Sequence, residues 1–400
     1  MSSNANDFLD FQGQTNESPY LIDVDRADGI YIYDKDGKRY MDMIAGVAVN
    51  NIGHNHPKVV EALKTQIDRH LHVMVYGEFI QDSQLSFAKK LSGLLPENLN
   101  CVYTVNSGTE ANEAALKLTK RVTGRTELVS FRGSYHGSTH GSLSVSGNET
   151  KKEAFRPLLP DVRFLTFDSI SDLDLITEKT AGVIVETIQG DAGVRVPNPK
   201  FLIALRERCT EVGALLIFDE IQCGIGRSGS LFAFEQFNVV PDILTLGKAL
   251  GGGMPIGALV SSKEHLSSFT NNPMLGHITT FGGHPVVCAA ADACLEVMTS
   301  EVDYTEVERL GGLLESIVQS STEIKEIRRK GMMFAFDMES FERVEKVVHK
   351  CLEKGLISFW FLSHPYSFRL SPPLTISEDE IREAGRIILE AIEETSTRLN

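Results

Sequence analysis

Short apolar runs alternate with helix-patterned segments through the middle of this chain, and that rhythm restricts the fold more than any other feature of the sequence. Glu127–Phe131, Ala181–Glu186, Ala214–Asp219 and Pro241–Leu246 read as strands, bounded by Gly or Asp. Helical stretches such as Phe201–Gly213 separate some of them. Strand, helix, strand in this order predicts an α/β fold, with a large domain whose mostly parallel sheet is covered by helices. A chain of 400 residues is long enough for about two domains.

The pattern changes after about Cys294. Amphipathic helices near Val307–Gln319, Phe341–Lys354 and Glu378–Thr397 then surround a few short strands. This predicts a smaller α+β domain over residues 294–400. At the other end, residues 1–50 begin as a loose arm. They continue as a hairpin in which Gly29–Tyr33 and Lys38–Asp42 flank the turn Asp34–Gly37. The hairpin is expected to join the C-terminal part, leaving residues 51–293 as the large domain. Pro57 opens a helix just inside that domain.

Composition narrows the function classes. The net charge is −15 and no long basic run occurs, so nucleic acid and anionic membranes are poor partners. The six cysteines are scattered without paired spacing. That speaks against a zinc site or any other metal, against a disulfide framework, and for a reduced, cytoplasmic setting. The polar N-terminus lacks the apolar core of a signal peptide, and no stretch is apolar enough to span a bilayer.

Four polar clusters fall at or near strand ends, where open α/β sheets bind ligands. Asn106–Glu113 follows an apolar run and opens a helix. Ser107 with Glu110 forms a capping-box pattern, and Gly108 with the Ser107 and Thr109 hydroxyls would make a phosphate cradle. A capped helix without a ligand explains the same residues. Asp219 ends a buried strand and could hold a ring nitrogen protonated, or serve as a cap or ion-pair partner. Lys248 runs into the glycine cluster Gly251–Gly253. A partly desolvated lysine there is a nucleophilic amine, against the plainer reading of a loop lysine. The phosphate-loop motif is absent because Ala249 follows the lysine. In Arg132–Gly137, which contains Tyr135 and His136, an aromatic could stack on a heteroaromatic ring or pack on the core. Together the four supply every contact that pyridoxal 5'-phosphate needs.

At these residues the sequence resembles the class III (omega) aminotransferases of pyridoxal-phosphate fold type I, nearest the acetylornithine and ornithine branch. The likeness runs from the hairpin through SGTEANE, GSYHG, VETIQGDAG, LLIFDEIQCGIGRSG, PDILTLGKALGGGMPIGA, HITTFGGHP and FRLSPPL. It implies that Lys248 forms the internal aldimine and shuttles a proton, and that Asp219 pairs with the pyridinium nitrogen. Gln222 would lie near the ring hydroxyl, Tyr135 on the ring, and Gly108 and Thr109 at the phosphate. Thr280 would reach the phosphate of a neighbouring subunit, making a homodimer with interfacial sites. Arg369 would bind the substrate carboxylate. The reaction would move an amino group from an amino acid or ω-amine, such as an acetylornithine-like donor, to a 2-oxo acid such as 2-oxoglutarate or pyruvate.

Three departures bear on substrate. Ser138 stands where the branch usually has an arginine. Glu186–Asp191 has Thr187 for a proline and Asp191 for a glutamate, the acid that commonly gates the arginine matching Arg369. The apolar run Ile357–Leu362, with Trp360, precedes Arg369 and would make a more hydrophobic side-chain subsite. Two other functions share the scaffold: a racemase or aminomutase, which exchanges no amine, and a non-catalytic binding protein. The set Lys248, Asp219 and Gln222 speaks against the last.

Overall fold

The computed structural model describes residues 3–396. It opens on an exposed helix, Ser3–Phe11, where the sequence suggested a loose arm. No Gly or Pro interrupts this stretch, and Phe8 and Phe11 lie one turn apart, so a short helix closes despite its polarity.

Strands β1 (Val24–Asp28), β2 (Tyr31–Asp34) and β3 (Arg39–Asp42) follow, with β2 and β3 antiparallel and Tyr31 opposite Met41. Their turn is built by the Asp34 carboxylate, which accepts the N–H groups of Asp36 (3.1 Å) and Lys38 (2.8 Å). Gly37 supplies the φ of +82° that a side chain would resist.

The central sheet contains β4 (Cys101–Val105), β5 (Glu127–Phe131), β6 (Val162–Leu165), β7 (Thr180–Glu186), β8 (Leu215–Asp219), β9 (Ile243–Leu246) and β10 (Gly257–Ser261). Their order is β4-β10-β9-β8-β7-β5-β6. Only β10 runs against its neighbours; the other pairings are parallel. Strands β7, β9 and β10 are buried along their whole length, so they show no alternation of polar and apolar residues. Helix Gly108–Thr123 packs across β7, β8, β9 and β10, while Pro199–Val212 packs on β7 and β8.

Strands β11 (Glu326–Lys330), β12 (Met333–Asp337), β14 (Phe359–Trp360) and β15 (Ser367–Leu370) form a four-stranded sheet in the order β11-β12-β15-β14. The intervening β13 (Leu356–Ile357) pairs in parallel with β3. The N-terminal hairpin and the C-terminal chain thus share a sheet. Helices Tyr304–Val318, Phe341–Glu353 and Glu378–Glu394 cover this region, the last begun by a capping box of Ser377 and Glu380. Helix Pro285–Ser300 passes unbroken through Cys294 and packs on helices Pro57–Arg69 and Asp82–Gly93.

One buried cation ties these parts together. Arg227 is fully buried. It donates to the carbonyls of Met332 (3.1 Å) and Pro372 (2.5 Å) and to the Asn51 side-chain oxygen. Among the described residues, no helix is long and apolar enough to cross a membrane.

Candidate active site

Because β4, β5, β7, β8 and β9 all point the same way, their C-terminal ends open on one edge of the sheet. The ends of β4, β5, β8 and β9 deliver the four clusters singled out in the sequence, and β7 ends on Glu186.

Asp219 lies at the centre. It is 4% exposed and stands in register with Glu186 on one side and Thr245 on the other. Its Oδ2 accepts from Asn112 Nδ2 at 2.8 Å and lies 2.7 Å from His136 Nδ1. Its Oδ1 accepts the N–H of Ile221 at 3.0 Å. Asn112 is itself fixed: it donates to the His136 carbonyl (2.7 Å) and accepts from Thr245 Oγ1 (2.8 Å). His136 is therefore a neighbour of Asp219, with its other ring nitrogen buried and unpartnered.

Glu186 is the second acid of the pocket. Burial pushes its carboxyl up to about 7, and the nearby Asp219 charge adds to the effect. The N–H groups of Tyr135 and Gly190, each at 2.9 Å, oppose it.

Lys248 follows β9 with a backbone φ of +44°, a conformation that favours glycine. Its ammonium makes no hydrogen bond or ion pair among the described residues. Burial lowers its pKa, while Asp219 and Glu186 pull the other way. The result is an unpaired amine within electrostatic reach of two carboxylates.

The start of helix Gly108–Thr123 is shaped by contacts that exclude side chains. A Cβ at Gly108 would stand 2.7 Å from Ile221, and one at Gly137 would stand 2.2 Å from Thr109 Oγ1. Ser107 caps the helix by accepting the Glu110 N–H at 3.3 Å. The expected reciprocal half of the capping box is shifted by one residue. The Glu110 carboxylate accepts from Asn106 N at 2.6 Å. Thr109 Oγ1 lies 2.8 Å from Thr139 Oγ1. Tyr135 is half-buried, with its hydroxyl 3.1 Å from the exposed Ser138 Oγ. Gln222 lies against Gly190, where a Cβ would come within 2.2 Å of its Oε1.

Arg369, on β15, is half-buried, and its Nε is buried without a partner. The guanidinium sits 5.6 Å from the Phe359 ring centre and 5.7 Å from Phe361. Trp360 stacks on the Phe359 ring, with centres 4.4 Å apart, and packs edge-on against Phe341 at 5.9 Å. Phe359 pairs directly with Arg369 across the strands, so the two phenylalanines meet the guanidinium and Trp360 backs the Phe359 ring. Asp191 forms no ion pair with Arg369. Its Oδ2 instead accepts from Lys151 Nζ at 2.6 Å and Ser363 Oγ at 2.5 Å. Thr280 is exposed, and no hydrogen bond joins it to the groups around Asp219.

Asn112, Thr245, Glu186, Lys151 and Ser363 were not singled out in the sequence. Thr245 left a trace, being a polar residue in an otherwise apolar strand run; Lys151 and Ser363 left none. No group of residues suited to a metal ion occurs among those described.

Residues 12–392 match the family model of class-III aminotransferases. The chain is 37% identical to an acetylornithine aminotransferase of Methanopyrus kandleri, with 97% of this chain and 98% of the relative covered. It is 35% identical to a LysW-aminoadipate semialdehyde/glutamate semialdehyde transaminase of Sulfolobus acidocaldarius, over 93% of this chain and 95% of the relative. Its fold matches the crystal structure of the ornithine aminotransferase of Toxoplasma gondii with a TM-score of 0.90 at 29% identity, covering 97% of this chain and 94% of that one.

These likenesses and the sheet topology define a pyridoxal-phosphate-dependent transferase of fold type I. Within that class the chain belongs to the class-III aminotransferases. It is an enzyme that transfers an amino group from an amino donor to a 2-oxo acid, and the racemase alternative is not favoured.

Proposed function

We propose that Lys248 is the residue that binds pyridoxal phosphate covalently. The observation that carries this is its half-buried, unpaired amine, within electrostatic reach of Asp219 at the common end of five strands. The surrounding donor set suits the cofactor. The first N–H groups of helix Gly108–Thr123, with the hydroxyls of Ser107 and Thr109, suit a phosphate. The glycines at 108 and 137 keep that cradle open. The Asp219 carboxylate suits a protonated ring nitrogen, Tyr135 suits a ring face, and Gln222 suits the ring hydroxyl.

When bound, the cofactor supplies the electron sink that loosens the Cα proton of the amine. The protein's own groups do the rest. Asp219 keeps its partner cationic because an opposite charge favours the charged form. Asn112 and His136 hold Asp219 in one rotamer. Lys248 Nζ, made less basic by burial, takes the proton from the substrate Cα and returns it after the exchange.

Arg369 receives the carboxylate shared by donor and acceptor, in a setting that Phe359 and Phe361 keep dry. The donor is an amino acid or ω-amine of the acetylornithine kind, and the acceptor is 2-oxoglutarate or pyruvate. Relatives named acetylornithine aminotransferase support the donor class. Ser138, in place of a cationic residue, and the aromatic pair leave room for a less charged side chain.

The working unit is a homodimer in the cytoplasm. The support for the dimer is an exposed apolar surface beside Thr280: Phe79 and Ile80 are 55% and 90% exposed, and Met274 and Phe281 are 75% and 55% exposed. Each subunit would divide into residues 51–293 and a unit made of 1–50 and 294–400. A panel of amines with 2-oxoglutarate or pyruvate tests the substrate reading. A protein that gains no visible absorbance band with added pyridoxal phosphate would sink it altogether.

A further inference from the structure

Two cations approach one buried carboxylate, and only one of them is paired with it. Asp191 is 6% exposed, and its Oδ2 is shared by Lys151 Nζ (2.6 Å) and Ser363 Oγ (2.5 Å). Ser363 is held in turn by Asn148 Nδ2 at 3.0 Å. Lys151 is further fixed by the Tyr135 ring, whose centre lies 4.8 Å from Nζ. The charge of Asp191 still acts on Arg369, but the guanidinium forms no ion pair and its Nε has no partner.

We propose that Lys151 is a positioning residue that occupies Asp191 and so keeps Arg369 permanently open to a substrate carboxylate. Asp191 is the acid that can compete with a substrate for Arg369. Held by Lys151 and Ser363, it has little reason to swing, since leaving would give up both bonds and strand its half-buried ammonium partner beside Tyr135. The Lys151 charge also offsets a repulsion that Asp191 would otherwise exert on an incoming carboxylate. The enzyme is then indifferent to whether its substrate carries one carboxylate or two, because no gate must be moved for either. This inference rests on Arg369 being the carboxylate receptor.

Steady-state kinetics on the pyridoxal-phosphate-loaded enzyme, with pyruvate and with 2-oxoglutarate, separate the two claims. Arg369→Gln should raise KM for both acceptors; if it does not, the receptor reading fails. Lys151→Met should raise KM for both acceptors by roughly tenfold with kcat changed much less, as expected when a buried carboxylate loses its partner and turns to Arg369. Adding Asp191→Asn to Lys151→Met removes the competitor, and KM should return to within about twofold of the parent. If Arg369→Gln behaves as stated but the double variant stays as impaired as Lys151→Met, Lys151 acts in some other way and the proposal is overturned. A loss confined to 2-oxoglutarate would also overturn it, since Lys151 would then be contacting a distal carboxylate.

Discussion

Glu186 and Asp219 end neighbouring parallel strands in direct register, so two carboxylates enter one buried pocket side by side. Their surroundings separate them. Asp219 is met by side-chain donors from Asn112 and His136, while Glu186 is met by two backbone N–H groups and a strong burial effect. Environment, and not residue type, gives each acid its task.

The Glu186 environment predicts a pH signature. Its carboxyl titrates near 7 in the folded chain, against 4.5 for a free one. Between those values the folded chain holds a proton that the unfolded chain has lost. The contribution to stability is therefore full below about pH 4.5 and is lost as pH rises through about 7. The displacement corresponds to at most about 3 kcal/mol. Glu186→Gln should flatten the fall of Tm between roughly pH 5 and pH 8, as read by thermal melts. Gln cannot accept both the Tyr135 and Gly190 N–H groups, so the variant is less stable throughout, and the slope is the informative quantity. Equal slopes in parent and variant would contradict the assignment.

Lys248→Ala should abolish both the visible absorbance band and the borohydride-reducible adduct. Transamination should fall by at least about a thousandfold, since nucleophile and proton carrier are lost together. Peptide mapping of the reduced parent enzyme should find the adduct at Lys248 and nowhere else. An adduct at another lysine would reassign the site.

Ile80 is the most exposed large apolar residue at the proposed interface. Ile80→Asp places a charge in that surface and should convert a sedimenting dimer to a monomer, with activity falling at least roughly tenfold. A parent protein that sediments as a monomer at working concentration would remove the basis for a site shared between subunits.

Arg227→Met should cost about 3 kcal/mol or more, because it leaves the Met332 and Pro372 carbonyls and the Asn51 amide oxygen buried without a donor. Chemical denaturation should show either a lower midpoint or two separated transitions. The second outcome would show that this guanidinium couples the central sheet to the chain ends. An unchanged curve would show that it does neither.

Strand and helix positions were largely legible in the sequence. Glu127–Phe131 matches β5 residue for residue, and the helices after Pro57, Pro199 and Ser377 begin where Pro or a capping residue marks them. These signals are local, set by periodicity and capping. Helix Ser3–Phe11 was missed because it has no buried apolar face, the feature that announces a helix most clearly. Lys248 and Asp219 were legible because a charged residue ending an apolar strand stands out against its neighbours.

The sequence by itself determined the α/β class, the lysine before the glycine cluster and the family to which the chain belongs. Only the tertiary structure decided which charges meet. It put Asn112 and His136 on Asp219, gave Asp191 to Lys151 instead of Arg369, and set Phe359 and Phe361 beside the free guanidinium with Trp360 stacked on Phe359. Strand and helix patterns depend on neighbours a few residues apart, which a sequence displays. Pairing of buried charges depends on distances of a few ångströms between residues tens to hundreds of positions apart, and those exist only once the chain has folded.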